Sequence, residues 1–295
     1  MNVRKAVIPA AGLGTRMLPA SLAAPKELLP LVDRPILHYA VEEAVESGIT
    51  EVIIVTSPGK ETLADYFRPA PELEARLKAR GGADPLAGVR RLREAATFTY
   101  VVQEEQLGLG HAVLMARDAV GDEPFAVLLP DDVIVGPAPA LGQVIAVADR
   151  YDAGVIAVEE VPREKTGAYG IVDARELEEG VFEVLGVVEK PAPEEAPSNL
   201  GIVGRYVLPP QIFDALERIT PGAVGELQLT DAIALLRERQ RVCVTRFQGT
   251  RYDTGNPLGL LQASVALGLA RDDMGPELRA WLETLLGRAR PAPFP

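Results

Sequence analysis

The hydrophobic pattern changes character halfway along the chain. In the first half, short apolar runs alternate with stretches whose apolar residues recur every three or four positions. "VRKAVIP" (3–9), "EVIIVTS" (51–57), "TFTYVVQ" (97–103) and "FAVLLPDD" (125–132) read as strands, some continuous enough to be covered on both faces. Between the first two, "RPILHYAVEEAVESG" puts Ile36, Leu37, Ala40, Val41, Ala44 and Val45 on a helical face, starting near Pro35 and stopping at Gly48. A second helix, "HAVLMARDAV", follows a Gly-bearing turn. The rhythm predicts right-handed βαβ units in a Rossmann-like, mostly parallel twisted sheet flanked by helices. Residues 68–96 interrupt it as a charged insertion with short helices of its own. In the second half "AGVIAVEEV", "AYGIVD", "FEVLGVVEKP" and "GIVGRYVL" are strands divided by turn-rich segments, which predicts antiparallel pairing and a mixed sheet there. "EKPAPEEAPSN" (189–199) is a loop between strands. "LQLTDAIALLRERQ", "PLGLLQASVALGLARDD" and "PELRAWLETLLG" are helical, and a Pro-rich tail follows. The expected division is an α/β domain over 1–256 and a helical segment over 257–295 packed on it.

Charge narrows the function. The 295 residues carry 30 Lys plus Arg against 42 Asp plus Glu, a net charge of -12. That excludes a polyanion-tracking surface, so no nucleic-acid partner is expected. A small anionic substrate remains compatible, because a few cations or a metal set the field inside one pocket. The single cysteine, Cys243, rules out an internal disulfide and fits a reducing compartment. The start "MNVRKAVIPAAG" has no signal-like apolar core, and no run approaches the ~20 apolar residues of a membrane span. A cytoplasmic protein without a membrane partner is expected.

Candidate chemistry gathers at strand ends. Ala10-Ala11-Gly12-Leu13-Gly14-Thr15-Arg16 follows the first strand, and such a loop offers backbone N–H groups to an anion. A dinucleotide fingerprint would need glycine where Met17 stands, and a Walker loop would need Gly-Lys-Ser/Thr. What remains is a loop with a fixed cation, Arg16, able to fork onto phosphate oxygens; a surface arginine on a tight turn is the plainer reading. Lys26, in "APKELLPL", is a second cation near the same strand end, or a solvated loop lysine. Asp131 and Asp132 close a buried strand where ligands bind in open parallel sheets. A carboxylate there suits Mg²⁺, and a helix cap is the alternative. Asp253, in "RYDTGNP", is the candidate second carboxylate, or a turn residue. Gln103 offers donor and acceptor to a base edge. His111 reads as a structural residue at a helix start. Glu189 and Lys190 are able to hold a hydroxyl and a phosphate, or form an exposed ion pair.

In this order, "AVIPAAGLGTRMLPA", "PKELLPLVDRP", "QLGLGHAV", "AYGIVD", "VVEKP", "APSNLGIVGRYVL", "GELQLTDAI" and "DTGNPLG" resemble the sugar-1-phosphate nucleotidyltransferases over residues 5–290. "GLGHAV", "APSNL" and "GRYVL" point to the branch of bacterial UTP–glucose-1-phosphate uridylyltransferases. The resemblance implies the nucleotide-diphospho-sugar transferase type of fold and transfer of UMP from UTP to α-D-glucose 1-phosphate, with Mg²⁺ and without a protein nucleophile. It implies catalytic roles for Arg16 and Lys26, nucleotide contacts at Ala11, Gly12, Gly14, Thr15, Gln103 and Gly108, and metal ligation by Asp131 and Asp253. Gly170, Glu189, Lys190, Asn199, Gly204 and Glu226 would hold the sugar phosphate. A homodimer or homotetramer is implied, assisted by the C-terminal helices. Three departures stand out: Ser21-Leu22 where the family has Thr-Lys, His38 for Gln, and Asp132 for an apolar residue. The competing readings are a thymidylyltransferase acting on glucose 1-phosphate and a non-catalytic sugar-nucleotide-binding paralogue.

Overall fold

A computed structural model describes residues 1–82, 84–222 and 225–287. The expected Pro-rich tail lies outside the described residues. β1 (Lys5–Pro9) runs into the small-residue loop, followed by a two-residue antiparallel pair, β2 (Pro30–Leu31) and β3 (Arg34–Pro35). A helix over Ile36–Glu46 then leads to β4 (Glu51–Thr56). Helices over Pro71–Arg80 and Ala87–Ala95 form the charged insertion before β5 (Thr97–Val102). β6 (Phe125–Leu128) and β7 (Asp132–Val135) follow, separated by one turn. The second half supplies β8 (Gly154–Glu160), β9 (Gly170–Glu178), β10 (Val181–Glu189), β11 (Leu200–Leu208), β12 (Val242–Arg246) and β13 (Thr250–Asp253).

Nine strands share one sheet in the order β5-β4-β1-β6-β11-β8-β12-β10-β9. The β5-β4-β1-β6 half is parallel throughout. β11 is antiparallel to both β6 and β8, and β10 is antiparallel to both β12 and β9, so the mixed character falls in the second half. Alternation sets the two faces. Ala6 and Ile8 of β1 join one core layer with Ile54 and Leu128, under the helix at Ile36–Glu46 and another at Ala140–Tyr151. Val7, Ile53 and Val127 join the opposite layer, under helices that contribute Val113, Phe213 and Ile233. Each of the larger of these side chains contributes about 1.5–3 kcal/mol on full burial. β11, the central strand, is buried at every position although it carries Arg205.

The connection from β1 goes outward to β4 and β5, then returns to place β6 on the other side of β1. Strand order therefore reverses at β1, and the crevice beyond the carboxyl ends of β1 and β6 is the topological switch point. The ribbon β7–β13 leans over it, pairing Asp132 with Asp253. A helix over Pro257–Leu269 begins where Asn256 Oδ1 accepts from Gly259 N–H (2.9 Å), and it buries Ala263 beside Leu31 and Val133.

Candidate active site

The loop after β1 is shaped by a lysine from another strand end. Lys60, in the turn after β4, donates to the carbonyls of Ala10 (2.7 Å) and Gly12 (2.6 Å) and to Glu27 Oε2 (3.0 Å). Three ammonium protons meet three acceptors. The Ala10 and Gly12 carbonyls are thus committed to Lys60, while the N–H groups of Ala11, Gly12, Leu13 and Gly14 make no hydrogen bond among the described residues. Gly14 takes φ +67°, and a Cβ there would lie 3.3 Å from those of Lys26 and Ser21. Lys26 and Glu27 share one short turn and point to opposite sides. Glu27 is 1% exposed, and burial raises its carboxyl above the ordinary range against the pull of Lys60 and Lys26.

Lys26 Nζ lies 2.5 Å from Asp131 Oδ2 and is 17% exposed, so it is not a solvated loop lysine. Burial alone would lower its pKa, but the neighbouring Asp131 and Glu27 carboxylates outweigh that and raise it. Burial likewise works to raise Asp131, and Lys26 with Arg16 overcomes it, so this carboxyl sits below its ordinary range. Arg16, 61% exposed, spans the two carboxylates: its terminal nitrogens lie 3.7 Å from Asp131 Oδ2 and 3.8 Å from Asp253 Oδ2. Asp253 is delivered by the β7–β13 ladder, and Thr254 locks it by donating its N–H and Oγ1 to the Asp131 carbonyl (2.7 and 2.8 Å). The next residue, Gly255, packs closely under the cluster. A Cβ on Gly255 would fall 2.7 Å from Asp131 Oδ2 and Arg16, and 3.0 Å from Asp253 Oδ1.

Asp132 turns away from this cluster and starts β7, so neither aspartate caps a helix. Its Oδ1 accepts from Arg251 Nε (2.6 Å) and its Oδ2 from Gly204 N–H (2.8 Å). Below it Arg205 forks onto Glu43 (2.9 and 2.7 Å) and donates to the carbonyls of Leu129, Gly204 and Asp132. This buried scaffold fixes the β6–β7 turn that carries Asp131. Sequence reasoning missed Lys60, Glu27, Glu43, Arg205 and Arg251. Two of them had a signal: Arg205 interrupts an otherwise apolar nine-residue strand, and Glu43 shares the apolar side of its helix with Ala40 and Ala44.

Two cavities meet at this cluster, with Arg16, Asp131 and Glu226 lining both. The larger, about 520 Å³, is lined by Ala11, Gly12, Gly14 and Thr15, together with Lys26, Gln103 and Gly108. The smaller, about 330 Å³, is lined by Gly170, Glu189, Lys190, Gly204 and Asp253, with Tyr169 and Arg251. In it Glu189 Oε2 accepts from Thr230 Oγ1 (2.9 Å), and its Oε1 lies 3.2 Å from Lys190 Nζ. Gly204 serves packing, since a Cβ there would lie 2.5 Å from Leu129 and 2.7 Å from Asp132. Asn199 lies outside both cavities; it is exposed, and its carbonyl accepts from Val161 N–H at the start of β11. The junction of two polar cavities, with paired cations and carboxylates between them, is suited to holding two polyanions end to end.

A Gly-rich anion loop at a switch point defines a nucleotide-handling α/β protein, and the comparisons agree. The nucleotidyl transferase family model matches residues 5–268, and the chain belongs to that family. It is 46% identical over 287 residues to the UTP–glucose-1-phosphate uridylyltransferase YngB of Bacillus subtilis strain 168, spanning 97% of each chain. Among solved structures it is similar to a UTP-bound UGPase from Acinetobacter baumannii, with TM-score 0.89 and 42% identity over 96% of this chain and all of that one. A UDP-glucose pyrophosphorylase complexed with UDP-glucose superposes with TM-score 0.85 and 41% identity, over 92% of this chain and all of that one.

Proposed function

We propose that this chain transfers UMP from UTP to α-D-glucose 1-phosphate, giving UDP-glucose and pyrophosphate. A phosphate oxygen of the sugar phosphate attacks the α-phosphorus of UTP in line, and the bond to the β-phosphate oxygen breaks. That oxygen is already ionised at neutral pH, so no general base is required, and the protein's work is positioning and charge stabilisation. The observation that carries the reading is the meeting of the two cavities at Arg16, Lys26, Asp131 and Asp253. UTP lies along the larger cavity, its base toward Gln103 and Gly108 and its phosphates over Gly12, Gly14 and Thr15. Glucose 1-phosphate lies in the smaller one, its hydroxyls toward Glu189, Glu226 and Gly170 and its phosphate toward Lys190. Arg16 and Lys26 turn onto the phosphates and offset charge developing on pyrophosphate. Asn199 receives no contact in this reading.

Mg²⁺ fits the donor set. Asp131 and Asp253 are both bridged by Arg16 and face the Cα of Gly255, and two carboxylates with substrate phosphates are a magnesium environment. Among the described residues no group of three or more His, Cys, Asp or Glu is placed to hold a metal, which argues against an all-protein cage. Bound there, Mg²⁺ would neutralise phosphate charge. No helix among the described residues is long and apolar enough to cross a membrane, and we take the protein as cytoplasmic. Exposed Leu258, Leu261 and Trp281 on the C-terminal helices support assembly into a homodimer or homotetramer.

The test is a matrix of nucleoside triphosphates against sugar 1-phosphates with Mg²⁺, read by pyrophosphate release. Turnover greatest with UTP and glucose 1-phosphate is expected. A dTTP preference would make the chain a thymidylyltransferase, and silence across the matrix would make it a non-catalytic binder.

A further inference from the structure

His111 lines neither cavity, yet its ring is tied to a residue that does. Gln103 follows β5, is 2% exposed, and borders the larger cavity. Its backbone is anchored by donating N–H to the Thr56 carbonyl (2.7 Å). Its amide nitrogen lies 3.3 Å from the Gly108 carbonyl and 2.8 Å from His111 Nδ1. A carbonyl oxygen only accepts, so the end of the amide facing Gly108 is the NH₂. The second hydrogen of that NH₂ then goes to Nδ1, which accepts it when the imidazole is neutral with its proton on Nε2. Both amide hydrogens are engaged, and Oε1, which accepts no hydrogen bond among the described residues, is the only group the amide can offer the cavity.

The anchors of this arrangement are rigid. The turn at 107–110 is stapled to the segment before the helix at Leu229–Leu236, with Leu227 N–H on the Leu107 carbonyl (2.7 Å) and Gly110 N–H on the Leu227 carbonyl (2.8 Å). Gly108 takes φ +98°, and a Cβ there would lie 2.8 Å from Glu226. The Gly108 carbonyl and the His111 ring are thus held in fixed places around one amide.

We infer that His111 is a positioning residue that sets the orientation of the Gln103 amide and thereby selects an imide base such as uracil over cytosine. The inference rests on the proposed seating of the base against Gln103. An imide presents N3–H, which donates to Oε1; cytosine presents a bare N3, which would face Oε1 lone pair to lone pair. A flipped amide would reverse the preference; it would set Oε1 against the Gly108 carbonyl and would oblige the imidazole to move its proton from Nε2 to Nδ1. Without His111 the second amide hydrogen loses its 2.8 Å acceptor, and the longer Gly108 contact alone holds the amide in this orientation.

The test compares kcat/KM for UTP and CTP, at saturating glucose 1-phosphate with Mg²⁺, in the full-length wild type, His111→Leu, His111→Asn and Gln103→Leu. His111→Leu should narrow the UTP:CTP ratio by about tenfold and leave kcat at saturating UTP within about twofold, because base contacts act alike on ground and transition states. His111→Asn, whose amide oxygen can stand in for Nδ1, should keep the wild-type ratio, which a merely structural role for the ring does not require. A wild-type ratio in His111→Leu, or a ratio in His111→Asn narrowed as far as in His111→Leu, overturns the inference. Gln103→Leu separates the two layers: an unchanged ratio there sinks the base seating, whereas a narrowed ratio with His111→Leu unchanged sinks only the role of His111. Should His111→Leu fail to fold, His111→Phe fills the same space without an acceptor and reads out the same ratio.

Discussion

Lys60→Met should destabilise the protein through a group outside the reacting centre. The substitution keeps the stem of the side chain and removes an ammonium that satisfies the Ala10 and Gly12 carbonyls and Glu27 Oε2. Among the described residues Glu27 Oε1 has no partner, so the variant leaves a buried carboxyl with neither oxygen paired. Removing one member of a buried ion pair costs about 3–5 kcal/mol. With about 2.1 cal/mol/K of melting entropy per residue, 295 residues give about 0.6 kcal/mol/K, so Tm should fall by about 5–8 °C. The loss depends on pH in a defined sense. Burial already raises Glu27 against the pull of Lys60 and Lys26, and losing Lys60 raises it further. The folded state then holds a proton that the unfolded chain releases above the ordinary carboxylate pKa of about 4.3, so stability falls as pH rises through the folded value. The deficit relative to wild type should be smaller at about pH 5.5 than at about pH 8.5. Adding Glu27→Gln should recover part of it, since the uncompensated charge is gone. Calorimetry on both variants and the wild type measures this. The reasoning is refuted if Lys60→Met melts within about 1 °C of wild type at both pH values, or if the double variant melts no higher than the single one.

Lys26→Ala should lower kcat by about 10² or more, as loss of a donor to developing charge does, and near-normal turnover would remove it from the mechanism. Gly255→Ala should lower the rate of pyrophosphate release, because its methyl group would displace the tips of Arg16, Asp131 and Asp253 from their present places; wild-type turnover would show that their placement there is not needed. A chelator should silence turnover, with Mg²⁺ restoring it in the wild type and failing to do so in Asp253→Ala; retained activity in excess chelator would contradict the two-carboxylate reading.

Much of this architecture was legible because one-dimensional signals suffice for it. Apolar runs and a 3.6-residue period mark βαβ units, and the change in rhythm after residue 150 marks the antiparallel half. Gly14 and Asp131 follow strands β1 and β6, which the parallel topology sets side by side, Lys26 stands in the turn that follows the Gly loop, and residue type was enough to single them out. The pairings within the supporting layer were not legible, even where a single charge such as Arg205 stood out, because they join residues far apart in sequence. Lys60 reaches Gly12 across 48 positions, and Arg205 reaches Glu43 across 162. Asp132 illustrates the limit: adjacent to Asp131, it faces the opposite way because it begins a strand, and its partner Arg251 belongs to the ribbon that also carries Asp253. Asn199 was carried into the sugar group by resemblance alone, and the loop leaves its side chain at the surface.

A crystal structure with UTP bound tests the central electrostatic claim most directly. The account predicts that Arg16 leaves Asp131 and Asp253 for the triphosphate, that Lys26 Nζ comes within hydrogen-bond distance of a phosphate oxygen, and that uracil meets Gln103. A bound nucleotide with both cations still held by their carboxylates, and no phosphate oxygen within reach of either, would contradict it.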